Sequence, residues 1–151
     1  MNIIFSGINI SELDLYTKLF IEVFNKEPWN DNWTTETASK RLNQFINVET
    51  FDGLSLWNDG NLVGVIMGRS EQYYDGVYFQ IQEFYVDNNV QGKGYGTLLL
   101  NEFEDRLKKK GVVNINLITI RNIKTEGFYV KKGYTVDNNM CFMNKFICKK
   151  K

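Results

Sequence analysis

The chain has 151 residues, which suits one domain with a hydrophobic core and is short for two, so we expect a single domain over residues 1–151. Lysine plus arginine equals aspartate plus glutamate, 18 of each, and this balance indicates no nucleic-acid partner. No stretch is long enough to cross a bilayer, and the first residues lack the layout of a signal peptide. We therefore expect a cytoplasmic protein with no membrane partner. Histidine is absent, which excludes His-based triads and most zinc sites, and we expect no metal.

The predicted elements alternate between helices and apolar strands. The chain begins with a strand at 2–5 and a helix that follows an N-cap at Ser11, carries apolar residues from Leu13 to Val23 at helical spacing and is ended by Pro28. There follow, in chain order, a helix at 35–46, strands at 51–57, 61–67 and 77–86, a helix at 95–110, a strand at 112–120, a helix at 122–132, and strands at 134–136 and 140–147. The sequence Asn58-Asp59-Gly60 is typical of a hairpin turn. The strands on either side of the helix at 95–110 form a βαβ unit and should be parallel. The pattern predicts an α+β fold whose mixed, mostly antiparallel sheet carries helices on both faces.

A glycine-rich turn, Gln91-Gly92-Lys93-Gly94-Tyr95-Gly96, lies between a predicted strand and a predicted helix. A helix N-terminus presents unpaired backbone N–H groups, and glycine lets that backbone approach a phosphate closely. Taken alone, the turn favours a simple tight bend that needs positive φ over a phosphate site. Its spacing excludes the dinucleotide fingerprint, because the third glycine comes one residue early, and the Walker A motif, because Gly94 stands where Ser or Thr is needed.

Residues 86–96, VDNNVQGKGYG, resemble the acetyl-CoA motif of the GCN5-related N-acetyltransferases (GNAT), Gln/Arg-x-x-Gly-x-Gly/Ala. A second family feature recurs in residues 122–134, NIKTEGFYVKKGY: an Asn, a small residue three later, Phe/Leu-Tyr, and Gly-Phe or Gly-Tyr. Thr125 departs from the alanine that is common in the family, but it is also small. The order of elements matches along essentially the whole chain. The resemblance implies a GNAT fold, in which two parallel strands splay apart beside the acetyl-CoA site.

The resemblance also implies which residues hold acetyl-CoA, the co-substrate. Backbone amides of residues 91–96 would bind the pyrophosphate, backbone groups around Tyr85 and Val86 would pair with the pantetheine arm, and Asn122 would hydrogen-bond it. The complete set of expected cofactor-binding residues is Tyr85, Val86, Gln91, Gly92, Lys93, Gly94, Tyr95, Gly96, Thr97 and Asn122.

Two residues are candidates for acid–base catalysis. Tyr129 matches the family tyrosine that protonates the departing CoA thiolate. Glu83 is the candidate base, because an alkyl amine with a pKa near ~10.4 must lose a proton before it attacks, and the chain has no histidine to accept it. A surface or salt-bridged glutamate without a catalytic role is an equally good interpretation of Glu83. Phe128, next to Tyr129, is interpreted as a core aromatic.

The acceptor side is predicted from the loop between the first two helices, where relatives build part of the acceptor cleft. Trp29, Asp31 and Trp33 combine a carboxylate with aromatic faces, which suits a cationic amine.

The expected function is transfer of an acetyl group from acetyl-CoA to a primary amine of a small molecule or protein, by direct attack in a ternary complex. The alternative is a non-catalytic acyl-CoA-binding or sensor module. A homodimer is a possible assembly. Cys141 and Cys148 are interpreted as free thiols outside both motifs.

Overall fold

The computed structural model of the chain describes residues 2–90 and 92–148, which divide into two compact units, 1–117 and 118–151. The N-terminal unit contains β1 (Ile3–Gly7), a 3₁₀ turn (Ile10–Glu12), α1 (Leu13–Phe24), α2 (Thr35–Ile46), β2 (Phe51–Asn58), β3 (Asn61–Tyr73), β4 (Gly76–Val86), a second 3₁₀ turn (Asn88–Val90), α3 (Tyr95–Lys109) and β5 (Val112–Leu117). The C-terminal unit contains one described helix, α4 (Glu126–Lys131).

The five strands form one mixed sheet in the order β1-β2-β3-β4-β5. All neighbours are antiparallel except β4 and β5, which are parallel, as the βαβ pattern predicts. The β2–β3 hairpin closes at Asn58↔Asn61, and both turn residues have positive φ, 51° at Asp59 and 82° at Gly60. Two such residues give the turn the twist that the flanking strands need. The predicted fold class is confirmed.

A β-bulge in β4 decides which side chains face which layer of helices. Met67 of β3 pairs with Glu83, but the next residue, Gly68, pairs with Ile81, so Gln82 is an extra residue in β4. Side chains of a regular strand alternate between faces, and one extra residue reverses that alternation. Two odd-numbered residues of β4, one before Gln82 and one after it, therefore have side chains on opposite faces of the sheet.

Ring contacts identify the two faces. Before the bulge, Phe79 packs edge to face on Phe103 of α3, with ring centroids 5.2 Å apart. After it, Tyr85 packs against Phe20 and Phe24 of α1, at 5.5 and 5.8 Å. The core on the α1–α2 face is formed by the buried residues Tyr16, Leu19, Phe20, Val23, Phe24, Ala38, Leu42, Val65, Met67 and Tyr85. Helices thus cover both faces of the sheet, and Glu83 faces the α1–α2 side.

Gly68 is expected to be required for the bulge. A Cβ at this position would lie 1.9 Å from the backbone oxygen of Gln80, so the backbone itself would have to move. We expect Gly68→Ala to lower the free energy of unfolding by about 1–3 kcal/mol or more. Gly7→Ala is the control, because nothing lies within 4 Å of its added Cβ. Chemical denaturation of both variants measures the difference; equal stabilities would contradict a close approach at Gly68.

The C-terminal unit differs most from the sequence prediction. The strands expected at 134–136 and 140–147 are wrong for this structure, which has no strand among its described residues after Leu117. β5 ends three residues before its predicted end, and the helix predicted at 122–132 is confined to α4. A strand's apolar residues stabilise it only against a partner strand, and here several of them are exposed: Met140, Phe142, Met143, Phe146 and Ile147. Both cysteines are free, as predicted.

Candidate active site

The pairing between the parallel strands β4 and β5 stops before β4 ends. Their ladder runs from Val77↔Val112 to Ile81↔Leu117, whereas β4 continues along β3 as far as Gly64↔Val86. Residues 82–86 of β4 therefore lie beyond its last pair with β5. This is the position of the splayed pair that the GNAT resemblance predicts, and an extended ligand can add to a strand at such a point by main-chain hydrogen bonds.

The glycine turn follows β4 and leads into α3. Gly92 and Gly94 have φ of 87° and 81°, in the left-handed region, and Gly94 is the N-cap residue without a side chain to cap the helix. A Cβ at either glycine would meet no atom of the described residues within 4 Å, so those residues leave the space in front of the turn open. The backbone N–H groups of the first turn of α3 are suited to bind a phosphate there. Gln91 lies outside the described residues.

The remaining cofactor candidates fall into exposed and buried groups. Lys93 is exposed and Thr97 half-buried, so both can reach a ligand. Tyr95 is buried, and its hydroxyl accepts a hydrogen bond from Asn58 at 3.0 Å. The side chain of Tyr85 is also buried and donates to the backbone oxygen of Tyr16 at 2.9 Å; this burial raises the pKa of Tyr85 well above its usual value. Only the backbone of Tyr85 can therefore serve a ligand.

Glu83 is a buried carboxylate with one ionic partner. Its side chain is 7% exposed, and Oε1 accepts a hydrogen bond from Nε of Arg41 at 2.6 Å. Burial raises the pKa of Glu83, Arg41 opposes that rise by favouring the ionised form, and Asp31 adds to it. Among the described residues, only one oxygen of this carboxylate has a hydrogen-bonding partner. The other oxygen is the one that could accept a proton.

Arg41 was not singled out from the sequence, although a signal was present. It stands on α2 between Ala38 and Phe45, at the helical spacing that places it on the apolar stripe of this helix. A charged residue in that stripe must bring its charge to a partner. In the structure the partner is Glu83, and the guanidinium carbon also lies 5.6 Å from the centre of the Trp33 ring and 4.7 Å from that of Phe45.

The loop between α1 and α2 places two of the three expected acceptor residues near the Arg41–Glu83 pair. The Trp33 ring lies 5.6 Å from the guanidinium carbon of Arg41, and the charge of Asp31 adds to the raised pKa of Glu83. The side chain of Asn25 binds both the N–H and the carbonyl of Trp33, at 2.9 Å each, which fixes the Trp33 backbone. The Trp33 indole donates to Asp31 at 3.0 Å. Trp29 instead packs on Phe24, with ring centroids 5.2 Å apart, at the edge of the core.

Asn122 and Tyr129 lie in the C-terminal unit. Asn122 precedes α4 and is not part of that helix. The Asn122 side-chain oxygen accepts from the backbone N–H of Thr125 at 2.8 Å and thus stabilises the turn before α4, a local role that sequence analysis missed. Tyr129 lies within α4 and is half-buried, with its ring 5.3 Å from Phe128 and 5.5 Å from Tyr134.

The separated parallel strands, the glycine turn and the buried carboxylate all lie at or just after the C-terminal end of β4. The sequence model of the Acetyltransferase (GNAT) family matches residues 14–134. The chain belongs to this family, as the motifs predict. The family generally uses acetyl-CoA.

Several known proteins resemble this chain in sequence or in fold. The chain is 32% identical over 93 residues to the uncharacterized protein YxbD of Bacillus subtilis (strain 168), a match over 60% of this chain and 55% of YxbD, about half of that relative. A possible acetyltransferase from Clostridium difficile 630 superposes with a TM-score of 0.81 at 21% identity, over 97% of this chain and 99% of that one. A GNAT family acetyltransferase from Staphylococcus aureus gives 0.73 at 20%, over 97% and 100%. An aminoglycoside acetyltransferase from a soil metagenome, in complex with sisomicin, gives 0.72 at 15%, over 97% of each chain.

Among residues 2–90 and 92–148, no group of three or more histidine, cysteine, aspartate or glutamate side chains is placed to hold a metal ion. None of the helices described is both long and apolar enough to span a bilayer.

The glycine turn gives a prediction about acetyl-CoA affinity. Gly94→Asp places a negative charge where the turn faces the open space, whereas Gly94→Asn has nearly the same shape and the same backbone strain without the charge. If the pyrophosphate binds there, calorimetry should find acetyl-CoA bound at least about tenfold more weakly by the Asp variant than by the Asn variant. Equal dissociation constants for two folded variants would place the pyrophosphate elsewhere.

Proposed function

We propose that this protein is an N-acetyltransferase that moves an acetyl group from acetyl-CoA to a primary amine by direct attack in a ternary complex. One observation carries the proposal. The segment of β4 beyond its last pair with β5, residues 82–86, also bears the buried carboxylate Glu83. A cofactor arm added to this segment would bring its thioester close to a group that can accept a proton.

The chain's own residues would divide the chemistry as follows. Acetyl-CoA supplies the activated acetyl group. Backbone N–H groups of the glycine turn hold its pyrophosphate, and a backbone N–H of β4 stabilises the negative charge that develops on the carbonyl oxygen. The C–N bond forms as the C–S bond breaks. Glu83 takes a proton from the amine, directly or through water, and Tyr129 gives one to the departing sulfur.

The environment of Glu83 supports a role as base. Deprotonating an alkyl amine at neutral pH costs about 4–5 kcal/mol, and a carboxylate of raised pKa is a stronger base than an ordinary one. Its burial raises the pKa, while Arg41 keeps the ionised form accessible. The assignment of Tyr129 as acid rests on its correspondence to the family motif.

The acceptor can be a small molecule or a protein amine. The structural neighbour in complex with sisomicin makes aminoglycosides a reasonable first group to test. Polyamines, amino acids, lysine-containing peptides and peptides with free N-termini complete the panel.

We also propose that the protein works in the cytoplasm as a single domain, without nucleic-acid or membrane partners. A homodimer is the assembly to test by light scattering.

The test is release of free CoA thiol. The protein is mixed with acetyl-CoA and each amine in turn, and thiol is measured against the same mixture without amine. An enzyme of the proposed kind releases CoA only when an accepted amine is present, and mass spectrometry finds that amine heavier by one acetyl group. Release that does not depend on any amine would indicate a hydrolase and contradict the proposal.

The second candidate is a non-catalytic acyl-CoA-binding or sensor module. Two observations favour it: the salt bridge to Arg41 engages Glu83, and the side-chain oxygen of Asn122 is used within its own turn. A sensor binds acetyl-CoA without releasing thiol, whichever amine is added. Binding by calorimetry together with thiol release across the full panel therefore separates the two candidates.

A further inference from the structure

Arg41 is held more firmly than its exposure suggests. Its side chain is 40% exposed, yet Nε donates a hydrogen bond to Oε1 of the buried Glu83 at 2.6 Å. The guanidinium also lies over two rings, 4.7 Å from the centre of Phe45 and 5.6 Å from that of Trp33. Trp33 is itself fixed through its backbone by Asn25. An arginine on an open surface must lose rotamer freedom when it binds a ligand, but the surroundings of Arg41 have already removed much of that freedom.

The outer edge of this guanidinium has donors left over. Its hydrogen bonds within the described part of the chain use only Nε, so the N–H groups of Nη1 and Nη2 remain available. Two parallel N–H groups at the end of a guanidinium match the two oxygens of a carboxylate or a phosphate. The salt bridge to Glu83 therefore leaves the anion-binding edge of Arg41 unused.

The charges around the site favour an acceptor that carries both signs. Asp31 lies close enough for its negative charge to act on Glu83, and it can attract an ammonium group. The face of the Trp33 ring, whose indole donates to Asp31, can also attract that group. A polyamine or another purely cationic acceptor would meet Arg41 with a like charge. When Glu83 takes a proton during the reaction, Arg41 loses its counter-ion, and an acidic group on the acceptor would replace it.

We infer that the acceptor is a small primary amine that also carries a carboxylate or a phosphate, and that Arg41 binds this acidic group. The inference rests on the proposed acetyltransferase function and narrows its substrate class. Arg41 is thus a substrate-binding residue as well as the partner of Glu83. It decides which amines are accepted, and the glycine turn and Tyr129 are not involved in that choice.

The experiment compares amines in matched pairs. Glycine, β-alanine and 4-aminobutyrate are each paired with their amides, and O-phosphoethanolamine is paired with ethanolamine. The members of each pair differ mainly in the acidic group, which adds one negative charge as a carboxylate and about 1.5 to 2 as a phosphate. Values of kcat/KM from thiol release give an acid-to-neutral ratio for each pair. We expect a ratio of about ten or more in at least one pair, the size of a charge-assisted bidentate interaction. The pair that shows it distinguishes a carboxylate from a phosphate.

Three variants test whether Arg41 causes this ratio. Arg41→Gln should reduce the ratio to near one, and Arg41→Lys, which keeps a charge beside Glu83 but lacks the planar fork, should reduce it less. Lys40→Gln removes one positive charge from the neighbouring, exposed position of α2 and should leave the ratio unchanged. If Arg41 only neutralises Glu83, its replacement lowers both members of every pair equally. That result, or a wild-type preference for neutral amines or polyamines, would overturn the inference.

A binding measurement separates this inference from the proposed function. If no amine of any charge releases thiol, the acetyltransferase proposal fails, and the anion site is judged by calorimetry of each pair with the protein saturated by CoA. Tighter binding of the acidic member, lost in Arg41→Gln and kept in Lys40→Gln, supports the anion site. Equal binding of both members contradicts it.

Discussion

Glu83→Gln is expected to lower kcat by about 10²–10⁴-fold with the accepted amine, the usual effect of removing a general base. Glutamine keeps the size of the side chain and can still accept the hydrogen bond from Arg41 Nε, so the local packing should survive. It cannot take a proton. Glu49→Gln is a suitable control, because Glu49 is an exposed glutamate outside the strands of the sheet. Steady-state rates of the two variants and the wild type, with melting temperatures to verify folding, give the comparison.

The pH profile gives a second measurement on the same variant. A base must be ionised to act, so kcat/KM should fall at the acid side as Glu83 becomes protonated. Burial raises the pKa of Glu83, and the fall should therefore come at higher pH than for an ordinary glutamate, whose pKa is about 4.3. The variant should lack this fall. A wild-type rate matched by Glu83→Gln at every pH would make Glu83 structural.

Stability should change with pH in the opposite sense to an ordinary surface ion pair. Because the folded-state pKa of Glu83 is raised above its unfolded value, the protonated carboxyl contributes stability that is fully present below the unfolded pKa. This contribution is lost as the pH rises through the folded pKa. Relative to Glu83→Gln, the wild type should therefore lose stability as the pH rises from the ordinary glutamate pKa of about 4.3 through the raised pKa of the folded state. A relative gain would mean that Arg41 outweighs burial.

The N-terminal unit could be predicted well because its signals are local. The helix at 35–46 coincides with α2, since Thr34 and Thr37 form a reciprocal cap at its start and apolar residues recur at helical spacing. The hairpin turn at Asp59-Gly60 requires positive φ, which these residues tolerate. The C-terminal strands could not be predicted in the same way. Their apolar residues favour a strand only where a partner strand is present, and sequence alone does not say whether one is available.

The candidate site was predicted in part, for a similar reason. Glycines and the order of elements locate the turn before α3, but the bulge at Gln82 depends on how β4 pairs with β3. Without that bulge, Glu83 would face α3 with Phe79, and its carboxylate would not reach Arg41. In this position Glu83 can be both a base and a salt-bridged glutamate, so the two interpretations are compatible. One side of the carboxylate is held by Arg41, and the other remains available for chemistry.

Tyr129→Phe is expected to lower turnover by about 10²-fold or more, the usual size of a lost acid catalyst. Phenylalanine keeps the ring, and with it the contacts at 5.3 Å to Phe128 and 5.5 Å to Tyr134. The helix backbone is also unaffected, since Tyr129 contributes its carbonyl to the N–H groups of Lys132 and Tyr134. Only the hydroxyl is removed, so the dissociation constant for acetyl-CoA should barely change.

Three measurements on this variant distinguish a catalytic hydroxyl from a structural one. If the hydroxyl only makes a structural hydrogen bond, its removal should cost about 0.5–1.5 kcal/mol of stability and leave the rate intact. If it protonates the leaving thiolate, the rate falls while melting temperature and acetyl-CoA affinity are kept. Tyr134→Phe removes a hydroxyl from the adjoining ring and should preserve the rate. Because the thiolate of CoA is the group that needs this proton, a slow Tyr129→Phe enzyme should regain rate with an acyl donor whose leaving group has a lower pKa, and a structural defect would not be corrected in this way.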